Sequence, residues 1–269
     1  YFKEAILLND NPHLLFSTQE RDDFKITPAS LKKFLIDKNL QGKRWHLYFN
    51  APVVNPTGAY YSKEEVRDII KIVQDFNGSL FIDAVFSGLE FDAKKTSFPF
   101  GPLLSSGKKS SYLFVGGASK EFSAGGLRFA YGVSNLEDFS HYCRKNLTRP
   151  HQLVLKAMRL FYQELINEKK SGPIHKHLQA QRLQLKKHAS SLTEILTKHQ
   201  WRVISGEGGL FLVAKPPAHF NPTYFQESNV LINGPEWTGI EEYYRFVLSV
   251  KKEDFSMALE RIKRCLDTH

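Results

Sequence analysis

The sequence predicts an α/β protein, with a mostly parallel sheet flanked by helices in its first part and a smaller α+β unit in its second. Short strands alternate with amphipathic helices over the first half of the chain. These strands are apolar without interruption, as is typical of strands covered on both faces in a parallel sheet. The chain has 269 residues, 42% apolar and 24% charged, so it is long enough to bury two hydrophobic cores.

The first half is predicted to contain two helices that alternate with three strands. Thr27 and Pro28 begin a helix in which apolar side chains recur at helical spacing. Ser62 and Glu65 form a capping box at the start of a second helix. This helix crosses over between the first two strands, which makes them parallel. The predicted strands are 46–50, 80–82 and 112–115.

From about residue 136 the pattern changes to long helices followed by a second group of short strands. The helices are predicted over 136–168, with a break near Pro150, and over 174–199. Predicted strands follow at 210–213, 230–232 and 244–248, before a final amphipathic helix. We therefore divide the chain into a partial large domain, 1–150, and a linker helix with a small C-terminal domain, 151–269.

The charge balance is basic and favours anionic partners. Lys and Arg total 37 against 28 Asp and Glu, which gives a net charge of +9. Much of the excess lies between Lys169 and Lys187, in a predicted helix that we interpret as a solvated face. Zinc-knuckle, RNP-type and KH-type patterns are not found in the sequence. The hypothesis that the protein is a nucleic-acid-binding regulator is therefore supported by charge alone, and we predict no nucleic-acid partner.

Hydropathy and cysteine spacing suggest the compartment. No apolar stretch approaches the roughly 20 residues that a membrane-spanning helix needs, so we predict no membrane association. Cys143 and Cys265 are far apart and form no C-x-x-C motif, so we predict neither a metal site nor a disulfide framework. Two thiols of this kind are typical of a cytoplasmic protein.

Polar groups follow each of the three predicted strands of the first half. Asn55-Pro56-Thr57-Gly58 follows the first strand, Asp83 ends the second, and Gly116-Gly117 after the third leads to Ser119-Lys120. Carboxyl ends of parallel strands border the ligand crevice of doubly wound sheets. We therefore expect Asn55, Asp83 and Lys120 to converge. Arg128 follows Lys120 by eight residues, across a Gly-Gly pair that lets the loop fold back.

These motifs, in this order, resemble the class I and II aminotransferases, which are pyridoxal-phosphate enzymes of fold type I. The resemblance continues in the second half, where 208–212 is similar to the G-G-x-F strand of the small domain. The segment 244–249 is similar to the strand that bears the substrate-carboxylate arginine, here Arg245. Each motif is weak by itself, but four in the family's order and spacing are specific. The resemblance implies an aminotransferase-like fold whose large domain is truncated at its N-terminus.

The resemblance also implies roles for the residues at the strand ends. Lys120 would form the Schiff base with pyridoxal phosphate and then move a proton on the substrate. Asp83 would keep the pyridine nitrogen protonated, and Asn55 would donate to the ring O3′. Taken without its neighbours, Asp83 is more typical of a helix cap or turn than of a cofactor site.

The remaining implied roles concern the phosphate and the substrate. Ser119 and Arg128 would bind the phosphate, and Arg245 would bind the α-carboxylate of an amino acid substrate. Alone, Arg245 is as typical of a surface charge on a strand. Phe86 lies at the cofactor position where the family usually has a tyrosine, so a hydroxyl that donates to O3′ is replaced by a ring. Gly117 replaces a frequent Ser or Thr of the phosphate site.

Two functions stay open at this point. The first is a pyridoxal-phosphate-dependent aminotransferase-like domain, part of a longer chain because family members have far more sequence ahead of their N-P-T-G than precedes Asn55. The family builds its site between two subunits, which implies a dimer. The alternative comes from 116–122 and 125–129, which are similar to the C-terminal aminotransferase-like region of methionine S-methyltransferase. There the domain would be non-catalytic, and another domain would transfer the methyl group from S-adenosylmethionine to methionine.

Overall fold

A computed structural model describes residues 13–96, 98–105, 110–147, 151–169, 171–204 and 206–269. The strands are β1 (His46–Asn50), β2 (Ser79–Asp83), β3 (Tyr112–Gly117), β4 (Ala130–Ser134), β5 (Arg202–Val203), β6 (Phe211–Lys215) and β7 (Tyr244–Val247). The α-helices are α1 (Pro28–Asp37), α2 (Lys63–Asp75), α3 (Phe100–Ser105), α4 (Ala118–Glu121), α5 (Phe139–Asn146), α6 (Gln152–Asn167), α7 (Pro173–Lys198), α8 (Tyr224–Glu227), α9 (Pro235–Thr238) and α10 (Lys252–Thr268).

The first sheet has the order β1-β2-β3-β4, in which the first three strands are parallel. This confirms the mostly parallel sheet and its three predicted strands. Strand β4 pairs with β3 in the antiparallel direction and was not predicted. Its residues, Ala-Tyr-Gly-Val-Ser, carry too little apolar character for a strand signal, and nearly all of them are exposed. Pairing with β3, rather than burial, forms this strand.

The predicted capping box at Ser62 and Glu65 forms, a second one that was not predicted forms at Thr27 and Ser30, and the two fix the starts of α2 and α1. At α1, the Ser30 N–H donates to Thr27 Oγ1 at 3.2 Å, and the Thr27 N–H donates to Ser30 Oγ at 3.1 Å. At α2, the Glu65 N–H donates to Ser62 Oγ at 3.1 Å, and the Ser62 N–H donates to Glu65 Oε2 at 2.7 Å. Loss of such a cap costs about 1 kcal/mol. Helix α2 then buries four side chains against the sheet, Val66, Ile69, Ile70 and Val73.

The second sheet is antiparallel, with the order β5-β6-β7, and helices α7 and α10 pack beside it. The strand predicted over 230–232 is wrong. A left-handed residue, Asn229 at φ 56°, follows α8, and Leu231 is 89% exposed. Only Asn233 pairs, in an isolated bridge to Arg245. The helical stretch predicted over 136–168 with a break near Pro150 forms two helices, α5 and α6, and Pro150 itself lies outside the described residues.

The two sheets are joined where the turn after β2 meets the segment before β6. The Phe91 N–H donates to Glu207 O at 2.8 Å, and the Gly209 N–H donates to Leu89 O at 3.1 Å. Close backbone approach here requires glycine: Gly58 has φ +73°, and a Cβ placed on it would lie 2.4 Å from Gly208 O. A continuous hydrophobic cluster therefore extends from this turn into the C-terminal sheet.

In the part of the chain that the structure describes, no helix combines the length and the apolar character that crossing a bilayer requires.

Candidate active site

The register of the first sheet places the predicted residues at one edge. Asn50, the last residue of β1, lies opposite Asp83, the last residue of β2. Asp83 in turn lies opposite Val115, and β3 continues to Gly117 before α4 begins with Ala118. The start of α4 and the end of β2 therefore share the carboxyl edge of the sheet, the position at which α/β sheets bind ligands.

The carboxylate of Asp83 is held by two donors. Tyr48, on the neighbouring strand β1, donates its hydroxyl to Asp83 Oδ2 at 2.6 Å, and the Val85 N–H donates to Oδ1 at 3.2 Å. Burial raises the pKa of the Tyr48 hydroxyl far above its usual value, with the bond to Asp83 adding to the shift. Tyr48 is therefore a donor at every physiological pH. The sequence prediction missed it, because the contact depends on the register between β1 and β2.

Asn55 is exposed, in the turn that follows β1. Its backbone N–H donates to the side-chain oxygen of Asn50, while Asn50 Nδ2 donates to Asp83 O at 3.0 Å. Asn50 thus ties the N-P-T-G turn to the end of β2. The sequence prediction missed this second asparagine as well, although its place at the end of an apolar strand was a usable signal.

Lys120 lies in α4, directly after β3. Its side chain is exposed and forms no hydrogen bond or ion pair with any residue that the structure describes. Ser119, beside it, is half-buried. Gly117 has little room for a side chain, since a Cβ placed on it would lie 3.2 Å from Phe129 O. This close approach is a physical reason for the absence of the family's frequent Ser or Thr at that position.

Arg128 ends a 3₁₀ turn, Gly125–Leu127, and is exposed. Its Nη1 donates to Gly125 O at 3.3 Å. A Cβ placed on Gly125 would lie 3.8 Å from Ser119 O, so the loop folds back toward Ser119 as the Gly-Gly pair predicted. Among the described residues, the Arg128 guanidinium forms no hydrogen bond with Ser119. The two residues are brought near each other by the backbone of Gly125.

Phe86 and Arg245 both contact one aromatic ring, that of Phe211. Phe86 is 3% exposed and packs on Phe211 of β6, with 6.2 Å between ring centroids. The Arg245 guanidinium carbon lies 4.3 Å from the centroid of the same Phe211 ring. The structure therefore connects the turn after Asp83 to the arginine strand through buried aromatic contact, an arrangement that the sequence did not predict.

Arg245 is partly buried and held from several sides. Its Nε and Nη2 donate to Asn233 Oδ1 at 3.3 and 3.1 Å, and its guanidinium carbon lies 5.7 Å from the Trp237 ring centroid. Burial lowers the pKa of this guanidinium from its usual value. Asn233 takes the Nε side, and no described residue accepts a hydrogen bond from Nη1, so that side can donate to a planar anion such as a carboxylate. Asn233 and Trp237 were not predicted.

The described residues contain no group of three or more His, Cys, Asp or Glu side chains that could hold a metal ion. The polar groups at the sheet edge are a carboxylate, an amine, a hydroxyl and a guanidinium. This set can bind an organic anion with a carbonyl group, because the unpartnered amine is free to react and the guanidinium can hold a phosphate or carboxylate.

Known structures share this fold. An aspartate aminotransferase from Thermus thermophilus with maleate matches with a TM-score of 0.81 at 18% identity, over 98% of this chain and 66% of that one. A C-S lyase from Staphylococcus hominis, described as PLP-bound, matches with a TM-score of 0.79 at 20% identity, over 98% of this chain and 65% of that one. These likenesses confirm the predicted aminotransferase-like fold.

Sequence relatives are longer transferases. Methionine S-methyltransferase from Wollastonia biflora is 28% identical over 97% of this chain and 26% of its own length. The enzyme of that name from Hordeum vulgare is 26% identical over 93% of this chain and 25% of its own. A probable aspartate/prephenate aminotransferase from Rickettsia felis is 28% identical over half of this chain. The chain thus spans about a quarter of the length of the methyltransferases it matches.

The family profile described as "Aminotransferase class I and II" matches residues 2–262, nearly the whole chain. This agrees with the strand-end motifs, the mostly parallel sheet and the structural likeness. The chain therefore belongs to the class I and II aminotransferase family.

Proposed function

We propose that this chain is the pyridoxal-phosphate-binding region of a longer transferase, and that Lys120 is the residue to which the cofactor attaches. The proposal rests on the groups that lie at the carboxyl edge of the first sheet. There a carboxylate held by Tyr48 ends β2, and an exposed, unpartnered lysine follows the adjacent strand. A lysine without an internal partner can react with a carbonyl group at little cost to the fold.

The residues of this chain fit the cofactor. Asp83 would hold a proton on the ring nitrogen, Asn55 would donate to the ring oxygen, and Ser119 and Arg128 would bind the phosphate. When bound, pyridoxal phosphate supplies an electron sink for a carbanion at the substrate Cα. Lys120 would accept and return the proton at that carbon. Two of these groups, Asp83 and the Asn55 turn, are already fixed through Tyr48 and Asn50.

The substrate class that we propose is an α-amino acid. Its carboxylate would bind the Nη1 side of Arg245, which Asn233 leaves free. Trp237, 56% exposed, lies beside the same guanidinium and offers an aromatic face to the substrate side chain. The turn that carries Phe86 connects this arginine to the Asp83 side of the site through Phe211.

The second candidate is a non-catalytic aminotransferase-like region of a methionine S-methyltransferase. The coverage of the relatives favours it: four enzymes of that name align with 91–97% of this chain, whereas the aminotransferases align with about half of it. Phe86 and the crowded Gly117 also depart from the catalytic family pattern. In this case, methyl transfer would belong to another part of a longer protein.

Cofactor attachment separates the two candidates. Purified protein is mixed with pyridoxal phosphate, reduced with borohydride, and the modified peptide is identified by mass spectrometry. We expect a pyridoxyl group on Lys120 in the wild type and in Lys263→Ala, an exposed-lysine control on α10. We expect none at that site in Lys120→Ala. Labelling scattered over surface lysines, at similar levels in all three proteins, would reject the cofactor-binding proposal and leave the non-catalytic one.

A further inference from the structure

Glu90 is a buried carboxyl group with no hydrogen-bond partner. Its residue is 0% exposed, and neither carboxyl oxygen accepts a hydrogen bond from a described residue. Buried glutamates are almost always paired, because an isolated carboxylate in an apolar environment is very costly. Its backbone pairs with Gly208 in an isolated bridge, so it lies where the two sheets of the protein join.

Glu121 brings a second carboxyl group to the same junction. It follows Lys120 in α4 and is half-buried. Its side chain lies directly over Gly88: a Cβ placed on that glycine would be 2.5 Å from Glu121 Oε1, and Gly88 has φ +91°. The helix that carries Lys120 therefore rests, through Glu121, on the turn that leads to Glu90.

Helix α7 supplies the only positive charge that acts on both carboxyl groups among the described residues, Arg182. No ion pair or hydrogen bond joins its guanidinium to either of them, and Arg182 is only partly buried. The preceding residue, Gln181, donates from Nε2 to Ser123 Oγ at 2.8 Å. Helix α7 is thus attached to the loop that follows Lys120.

The charges at this junction do not balance when both carboxyl groups are ionised. Burial raises the pKa of Glu90 to about 7, against the opposing effects of Arg182 and of the Glu90 and Gly88 N–H groups, which lie near the carboxyl group without forming a hydrogen bond to it. Burial also raises the pKa of Glu121 to about 7; the charge of Glu90 adds to this shift, and Arg182 opposes it. Two carboxylates opposite one guanidinium would leave a net negative charge at the junction.

Among the described residues, the other titratable groups that interact electrostatically with this pair are tyrosines. Tyr60 lies in the electrostatic field of Glu90, and burial raises its pKa to about 12. Tyr131 on β4 and Tyr162 on α6 lie in the field of Glu121, and burial raises the pKa of both. All three stay neutral near pH 7, so Arg182 is the counter-charge available to the two carboxyl groups.

We propose that Glu90 and Glu121 share one proton and together position the Lys120 helix against helix α7 and the junction of the two sheets. With one proton, a neutral carboxylic acid and a carboxylate lie opposite Arg182, and the cluster has no net charge. Loss of that proton leaves two like charges in a poorly solvated place, which loosens the contact. The inference concerns the cofactor-free chain and does not rest on the proposed function.

The thermal midpoint of the cofactor-free protein between about pH 5.5 and pH 8.5 tests this proposal. A carboxyl group whose pKa is higher in the folded than in the unfolded state stabilises the fold fully below the unfolded value, about 4.3. That contribution is lost as the pH rises through the folded value, about 7. Glu90→Gln keeps the neutral shape and removes the titration. The thermal midpoint of Glu90→Gln, relative to that of the wild type, should therefore rise with pH by several degrees across this range.

The controls separate proton sharing from simple packing. Glu260→Gln, exposed on α10, should shift the midpoint equally at all pH values. Glu121→Gln should show the same growing advantage as Glu90→Gln. The double variant should gain clearly less than the sum of the two single variants at about pH 8.5, since either substitution relieves the same repulsion. Arg182→Gln should lower the midpoint most at high pH and should be rescued by Glu90→Gln.

Two results would overturn the inference: differences that do not change with pH, or single-variant gains that simply add. If Glu90→Gln fails to fold, the Glu121→Gln profile decides alone. These measurements use protein without cofactor. If the midpoint differences change with pH as expected but Lys120 carries no pyridoxyl adduct, only the proposed function is rejected. A flat profile beside a specific adduct rejects only the proton-sharing pair.

Discussion

The two places where the proposed site would contact its ligands differ in how firmly the chain holds them. Arg245 is bound by Asn233, lies against Phe211 and neighbours Trp237. Lys120, by contrast, is exposed and without a partner among the described residues. The arginine side of the proposed site is held within this chain, whereas the side chain of Lys120 is free of contacts with the described residues. Substitutions around Arg245 should therefore lower the free energy of unfolding. Substitutions at Lys120 should leave that free energy nearly unchanged and affect only the reaction with the cofactor.

The largest effect is expected at Phe211, whose ring contacts both Phe86 and Arg245. Phe211→Ala removes most of a side chain that packs on the hydrophobic cluster of the C-terminal sheet. We expect a loss of about 3 kcal/mol in the free energy of unfolding, measured by urea denaturation. Phe211→Leu is the matched control. It keeps much of the volume but removes the ring face, so its cost should be about 1 kcal/mol.

The two variants separate the contribution of packing from that of the contact with the Arg245 guanidinium. Equal losses in Phe211→Ala and Phe211→Leu would mean that the aromatic face, rather than volume, carries the stability. A loss below about 0.5 kcal/mol in both would contradict the view that the arginine side is preorganised by packing.

Sequence reasoning located the groups that local patterns reveal and missed those that depend on long-range pairing. The placement of Asp83 and Lys120 at the carboxyl ends of β2 and β3 could be predicted because both strands are apolar, and parallel strands align their ends. Tyr48 was missed because its bond to Asp83 requires the register between β1 and β2. Asn233 was missed because the strand was predicted in the preceding segment, 230–232, and because its bridge to Arg245 is a contact between residues distant in sequence.

Burial was the harder property to predict. Leu89-Glu90-Phe91 shows a charged residue between two apolar ones, which by itself is typical of a strand with one face in solvent. The backbone bridge to Gly208, more than a hundred residues later, turns that carboxyl group inward. The fold class, its early strands and its capped helices follow from local signals, whereas β4 and the junction between the sheets exist only through tertiary contact.

A smaller effect is expected at Asn233. Asn233→Ala removes the oxygen that accepts from both Nε and Nη2 of a partly buried guanidinium. The expected loss is about 1–2 kcal/mol of unfolding free energy, because the donors lose their partner and regain only part of their hydration. Asn233→Asp is the informative comparison: it keeps the acceptor, so it should be less destabilising than Asn233→Ala in the same urea titration. The reverse order would show that the side-chain oxygen does not hold Arg245.

The smallest effect is expected at Lys120 itself, and it completes the comparison. Lys120→Ala removes an exposed side chain that contacts no described partner, and alanine favours the helix at least as well as lysine. The free energy of unfolding should change by less than about 0.5 kcal/mol, although the same variant should abolish the specific pyridoxyl adduct. A loss of more than about 1 kcal/mol in cofactor-free protein would mean that the lysine supports the fold. Attachment of a ligand to Lys120 would then be opposed by the fold, because a lysine that stabilises the folded chain loses that stabilising contribution when it reacts with a ligand.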